Sequence, residues 1–219
     1  MAWLLEPGRI GLLMHAFLLT LMISAAVIVA SNLIALPLAI RMQRSTGRVR
    51  RIILAYSFFA RAVPVLALLF GLYYGLPRLG IFLEPVPSAL IGLIFASTAY
   101  NLEFLRSGFE SLPKGQIEAA LALGLSPWRS YRTVLIPQAY AAAGPALFSN
   151  AIQMVKGSSL ASLVAVDELT AASTTLVAET YRAIEVLTFV GALYALIATA
   201  IIGLQWLYER SLLWQHVRK

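Results

Sequence analysis

Residues 13–40 read LMHAFLLTLMISAAVIVASNLIALPLAI, and residues 41–51, which follow directly, read RMQRSTGRVRR. The first stretch contains no Asp, Glu, Lys or Arg. The second carries Arg41, Arg44, Arg48, Arg50 and Arg51 with no acid. A helix of about 20 apolar residues crosses the hydrocarbon core of a bilayer, so the first stretch is long enough to span. Arginines concentrated just past such a span mark the end retained on the cytoplasmic side.

Working outward, four more runs have the length and apolarity of spans: about 52–76, 88–105, 138–165 and 186–208. Pro37, Pro64 and Pro145 fall inside proposed spans, which bilayer helices tolerate when neighbours satisfy the freed backbone groups. Segment 106–137 holds Arg106, Lys114, Arg129 and Arg132 against Glu110 and Glu118. The tail holds Arg210, Arg218 and Lys219 against Glu209. Together with 41–51, these alternate segments carry 12 of the 17 basic residues, whereas the other connections carry Glu6, Glu84, Asp167, Glu168, Glu179 and Glu185 with few bases. The asymmetry predicts five transmembrane helices, the N-terminus outside and the C-terminus in the cytoplasm. Residues 166–185 then form the one sizeable external connection, where Asp167, Glu168 and Glu179 can start or cap a short interfacial helix.

The composition agrees. The chain of 219 residues is 60% hydrophobic and 12% charged, about half the charge of an average soluble domain, and its mean hydropathy is +0.80. The net charge of +7 would suggest nucleic acid in a soluble protein. Here the bases cluster between apolar runs, which points to membrane sidedness and to lipid, not nucleic acid, as the surroundings. With no cysteine there is no thiol nucleophile and no cysteine-bound metal. His15 and His216 stand alone near opposite ends, so no metal set can be built. The first residues lack the basic start and short apolar stretch of a signal peptide, and the first run reads as a retained helix. No internal repeat interrupts 1–219, which reads as a single membrane domain.

Segment 106–137, RSGFESLPKGQIEAALALGLSPWRSYRTVLIP, is the longest connection between apolar runs. Its punctuation predicts two short helices. Pro113 opens the first, over Gln116 to Leu123, and Gly124 ends it as a residue just past a helix C-terminus. Ser126 caps the second, with Pro127 at its first position, and that helix runs into Pro137. A short alanine-rich helix with one acid, Glu118, is suited to docking in a groove and carrying force. It is equally suited to shielding the membrane surface.

Glu118-Ala119-Ala120, then Gly124, then Val134-Leu135-Ile136-Pro137 resembles the EAA loop of ATP-binding cassette (ABC) importer permeases, E-A-A-x3-G-x9-I-x-L-P, with Val134 for Ile and Ile136 for Leu. Leu112-Pro113-Lys114-Gly115-Gln116 is similar to the lead-in of the polar amino acid branch, which includes histidine, arginine, glutamine and opine permeases. Arg61-Ala62-Val63-Pro64 and Tyr73-Tyr74-Gly75 resemble that branch's second-span signature, usually Arg-Gly-Thr-Pro with Tyr-Tyr-Gly. Ser158-Ser159-Leu160-Ala161-Ser162 resembles its Thr-Ser-Leu-Ala-Ser. Ala62-Val63 departs from Gly-Thr, and Gly157 stands where an Asp is common after the Lys. The missing acid weakens the case for a cationic solute. The resemblance implies an all-α type I importer permease that pairs with a second permease, identical or homologous. Two ATPase subunits would hold ATP and Mg2+, and an extracytoplasmic binding protein would deliver solute. It assigns Glu118, Ala119, Ala120, Gly124 and Pro137 to ATPase coupling. The chain has no G-x-x-x-x-G-K-S/T and so cannot hydrolyse ATP by that route itself; the resemblance implies a transport subunit without a cofactor of its own and not an enzyme.

Ionisable residues inside spans are costly and mark function by default. Three occur here: Arg61, Glu103 and Lys156. Glu103 can pair with Arg61 or Lys156 to hold helices together, or these groups can line a solute path. Asn150, Gln153 and Gly157 recur at helical spacing on one face, and Ser158 and Ser159 add donors close by, a polar stripe that fits a pathway wall or interhelical bonding. A self-contained secondary transporter or channel using Glu103 as an ion or proton site is the alternative from another class. Five spans without an inverted repeat is an unusual plan for it. No nucleophile–base pair supports a membrane enzyme. Tyr73, Tyr74, Trp128, Trp206 and Trp214 lie near span edges, where aromatic residues act as interfacial anchors.

Overall fold

The computed structural model describes residues 6–113 and 115–217, without the side chains of Pro7 and residues 212–217. Lys114, Arg218 and Lys219, and the side chains of Trp214 and His216, lie outside the described residues. Everything regular among the described residues is helical. The helices are α1 (Pro7–Arg44), α2 (Arg48–Ala62), α3 (Val65–Phe70), α4 (Pro85–Glu110), α5 (Gly115–Ala122), α6 (Pro127–Ser130), α7 (Ile136–Gly157), α8 (Leu169–Thr180) and α9 (Ala183–Val217). A π turn and a 3-10 turn extend α3 to Leu79, a π turn over Tyr131–Leu135 joins α6 to α7, and a 3-10 segment over Ser158–Val164 extends α7.

Among the described residues, three helices are long and apolar enough to cross a membrane: Gly8–Arg44, Pro85–Glu110 and Ala183–Ser211. Two bent pairs raise the number to five if each pair counts as one span. One is the expected span at 52–76, which is not a continuous helix. Pro64 pushes the residue before it out of helical geometry: Val63 sits at φ −84°, ψ 129°, and the chain turns by 99° between Arg48–Ala62 and Val65–Leu79. The other is the expected span at 138–165. It belongs to a longer helix, Pro127–Val164, which ends where Ala165 adopts φ 59° and meets α8 at a bend of 56°. Pro37 and Pro145 lie within α1 and α7 without ending them.

The helix α1 packs along α4, and α4 along α7. Small residues set the closest approaches, as is usual between membrane helices. A Cβ on Gly108 would lie 2.5 Å from the carbonyl oxygen of Ala139, so α4 and α7 meet there backbone to backbone. Around that contact Ala39, Leu102, Leu105, Phe109 and Leu135 form one core. Ile23, Val27, Leu69, Leu93 and Val164 form a second. Leu13, Ala16, Leu169, Leu176 and Val186 form a third, at the far end of α1. Much of the outer surface is apolar, with Leu33, Ile52, Phe58, Leu196 and Trp206 exposed. That surface suits lipid, not water.

The expected interfacial helix at 166–185 is present as α8, but it is not laid on the surface. Leu169, Ala172, Ser173 and Leu176 are buried between α1 and α9. Glu168 caps α8 as the sequence suggests, and yet it is completely buried.

Candidate functional site

The hairpin between α4 and α7 is built by its turn residues. Gly124 takes φ +79°, a left-handed conformation that costs any residue with a Cβ. Its N–H donates to the Leu121 carbonyl at 2.9 Å, and the Leu125 N–H to that of Ala120 at 3.1 Å, which closes the end of α5. Ser126 then opens the next helix by accepting from the Arg129 N–H at 3.4 Å, with Pro127 at the first position. Helix α5 thus covers Gly115–Ala122, within a residue of the expected bounds. Ala120 is buried against the body, whereas Glu118, Ala119, Gly124 and Pro137 are exposed, beside Leu121 and an almost fully exposed Leu123. Ile117 and Leu112 pack on the core beneath. The Gln138 amide reaches Gln116 at 3.5 Å. The hairpin therefore presents an acid flanked by small and apolar side chains, held to the bundle along one edge.

Inside the bundle, a buried polar cluster joins three helices. The Asn150 amide nitrogen donates to Ser97 Oγ at 3.0 Å and to Asn101 Oδ1 at 2.8 Å. The Asn101 nitrogen and the Ser97 hydroxyl each donate to Ser31 Oγ at 3.0 Å. All four side chains are buried. Burying such groups is affordable only when they satisfy each other. Asn150 thus ties α7 to α4 and, through Asn101 and Ser97, to α1. On its outer side α7, with the 3-10 segment that extends it, turns Gln153, Lys156 and Ser159 towards an open cavity of about 570 Å³, walled also by Tyr100, Phe104 and Leu160. Gln153 and Lys156 are exposed there, and Lys156 makes no ion pair among the described residues.

The remaining residues expected on a solute path lie elsewhere. Glu103 does not meet Lys156. It accepts from Ser57 Oγ at 2.8 Å and from Arg106 Nε at 2.9 Å, and Arg61 approaches it at 3.7 Å. Arg106, which the charge pattern put in the loop, lies on α4 and also binds Glu110 at 2.6 Å. Of the two pairings open to Glu103 in the sequence, the one with Arg61 forms. Ser158 is buried, donating to the Val155 carbonyl at 2.7 Å, and does not line the cavity. The structure therefore gathers Asn150, Gln153, Lys156 and Ser159 and leaves Arg61, Glu103 and Ser158 outside.

Sequence reasoning missed two constellations. One is the Ser31–Ser97–Asn101 partnership of Asn150, whose signal was Ser97 and Asn101 at i, i+4 on one helix face. The other surrounds Glu168. Its Oε1 accepts from the Thr170 and Ala171 N–H groups at 2.8 and 3.1 Å, its Oε2 accepts from Thr20 at 3.5 Å, and the Tyr194 hydroxyl donates to it. One carboxylate so joins α1, α8 and α9. The signal was an acid directly before Leu-Thr-Ala-Ala, the position of a helix cap.

The profile of the binding-protein-dependent transport system inner membrane component family matches residues 31–213. Over 150 residues the chain is 39% identical to a Bacillus subtilis protein named "Probable amino-acid ABC transporter permease protein YckA", covering 68% of this chain and 66% of that one. It is 31% identical over 186 residues to the nopaline transport system permease protein NocM of Agrobacterium fabrum, covering 80% and 77%. Among solved structures, an amino acid ABC transporter crystallised with histidines superposes with a TM-score of 0.82 at 28% identity, over 92% of this chain and 94% of the other.

Proposed function

The chain belongs to the family of binding-protein-dependent transport system inner membrane components, and from that premise we propose that it is the permease of an amino acid or opine importer. It is an inner-membrane transport subunit of an ABC importer, and hydrolysis of ATP belongs to a separate protein. The observation that supports the reading is the exposed hairpin at Glu118–Gly124, whose Glu118, Ala119 and Leu123 are left exposed by the chain's own core. Glu103, engaged by Ser57, Arg61 and Arg106, is poorly suited to the ion site of a self-driven carrier.

The whole chain acts as one permease domain with five spans, each bent pair crossing once, N-terminus outside and C-terminus in the cytoplasm. It pairs with a second permease, receives solute from an extracytoplasmic binding protein, and docks α5 into an ATPase subunit that holds ATP and Mg2+. Glu118, Ala119 and Gly124 meet the ATPase, Ala120, expected among them, is buried and seats α5 on the bundle instead, and Pro137 stands at the first turn of α7, which carries the movement inward. Solute passes the cavity at Gln153, Lys156 and Ser159. Lys156 suits a solute carboxylate, and with Gly157 adding no acid to that wall, a neutral or zwitterionic amino acid fits better than a cationic one. Arg61, Glu103 and Ser158 hold helices in place.

Three measurements test this. Purified with its neighbours in the membrane, the chain should bring down an ATPase, and Gln153→Ala should shift solute affinity or selectivity in uptake assays while basal ATPase activity stays. Unchanged uptake for every amino acid tried would remove the pathway assignment. For topology, cysteines at Ser45 and Ser126 should resist an impermeant thiol reagent in intact cells, while one at Tyr181, which is 92% exposed, should react. The reverse pattern overturns the orientation.

A further inference from the structure

The arginine-bearing end of α1 opens onto a cavity of about 510 Å³ lined by Pro37, Ile40, Arg41, Arg44, Ser45 and Trp128. No acid occurs in residues 41–51, and neither Arg41 nor Arg44 makes an ion pair among the described residues. The Arg44 guanidinium lies 5.8 Å from the centre of the Tyr131 ring, which fixes its direction without neutralising it. Trp128 is half-exposed beside it, an aromatic group of the kind that sits at the headgroup level of a bilayer. Arg48, Arg50 and Arg51 open α2 after the break at residues 45–47.

A second groove lies on the same helix. Leu38 and Ile34 precede Arg41 by one and two turns on one face, and with Ile52, Tyr56, Ile91 and Phe95 they line an apolar groove of about 540 Å³. The two features ask for one occupant with both chemistries. A free anion would leave the groove empty, and an acidic protein surface would not enter it, because the groove runs along the membrane-crossing part of α1. We propose that this end of the molecule is a binding site for an anionic phospholipid. Arg41, Arg44 and Trp128 hold the headgroup phosphate, and an acyl chain lies along Ile34, Leu38 and Ile52. Arginine binds phosphate through paired N–H donors, and basic pockets at the ends of membrane helices recognise such headgroups. The assignment needs only that the arginine end lies at a membrane surface, and it does not depend on the solute.

The test uses the full transporter assembly in nanodiscs containing brominated phosphatidylglycerol or brominated phosphatidylcholine. The readout is the quenching of Trp128, taken as the difference between the native protein and Trp128→Phe. Phosphatidylglycerol should quench several-fold more at equal lipid fraction. Arg41→Gln with Arg44→Gln should bring the ratio to about one, whereas Arg41→Lys with Arg44→Lys should keep most of it. Leu38→Ser should reduce quenching by both lipids if the chain lies in the groove. Equal quenching by the two lipids, or a preference that survives the glutamine pair, overturns the proposal. So does displacement by inorganic phosphate, which would mark a free-anion site. A preference seen only when the ATPase is removed would assign the arginines to that partner, and would equally overturn it.

Discussion

Gly108, in the bundle, has no room for a methyl group, since a Cβ there would meet the Ala139 backbone at 2.5 Å. Gly124, in the hairpin, has open space on all sides and a backbone at φ +79°. The first glycine is required by what touches it, and the second by the path of its own chain. The two regions follow the same division. In the bundle, Ser31, Ser97, Asn101 and Asn150 spend their hydrogen bonds on one another. In the hairpin, Glu118 and Leu123 are exposed, Leu123 almost fully. A region complete in itself and a region completed by another protein should respond differently to substitution, and that difference can be measured.

The largest effect is expected in the hairpin and in activity alone. Proline cannot adopt a positive φ, so Gly124→Pro breaks the α5–α6 turn, and Glu118→Lys reverses the charge on the docking face. Both should reduce solute-stimulated ATP hydrolysis and uptake in proteoliposomes to near background while the protein inserts and melts as before. Normal uptake in both would erase the contrast between the regions.

Next is Gly108→Val, which forces α4 from α7 and should destabilise by about 1–3 kcal/mol or more, read as a lower melting temperature of the purified assembly. Gly124→Ala should cost roughly 1–2 kcal/mol, confined to the hairpin and visible as faster hydrogen exchange over 115–126 without a change in global melting. If the two glycines lower the melting temperature equally, the hairpin is part of the cooperative unit and the distinction fails.

Asn150→Ala removes the donor to Ser97 and Asn101. Leaving buried acceptors short of a partner costs about 1–3 kcal/mol, so thermal stability should fall and uptake should fall only in proportion. Gln153→Ala, one turn further on and exposed, should leave stability within about 0.5 kcal/mol and act on solute affinity. Calorimetry and uptake on the pair separate a tie between helices from a wall of the path.

The sequence made the hairpin legible almost to the residue, because Gly124, Ser126 and Pro127 each act through local backbone geometry. The apolar runs and arginines likewise placed α1, α4 and α9. What was not legible depends on neighbours distant in sequence. The break at Pro64 had a local signal in Val63-Pro64, but the 99° turn depends on how α2 crosses α4. Glu168 was legible as a helix cap but not as a buried tie, because nothing near it predicts Thr20 and Tyr194. Arg106 read as a loop charge because α4 runs on to Glu110, beyond the expected end. Ser97 and Asn101 were overlooked because small polar residues barely change the hydropathy of a span.

The helix from Pro127 to Val164 is unbroken and is pinned near Ala139, where the Gly108 backbone lies against it. At 1.5 Å per residue the pin divides it into arms of about 18 Å towards the hairpin and about 37 Å towards the Glu168 junction. Such a rod, rocking on Ala139, is a lever with the short arm at the hairpin, and its geometry doubles any sideways displacement delivered there by the time it reaches Val164. The cavity at Gln153 and Lys156 lies on the long arm. Spin-label distances from Trp128 and from Leu163 to a common point on α4, taken with and without nucleotide, give the two displacements directly, and their ratio reports whether the rod turns as one piece.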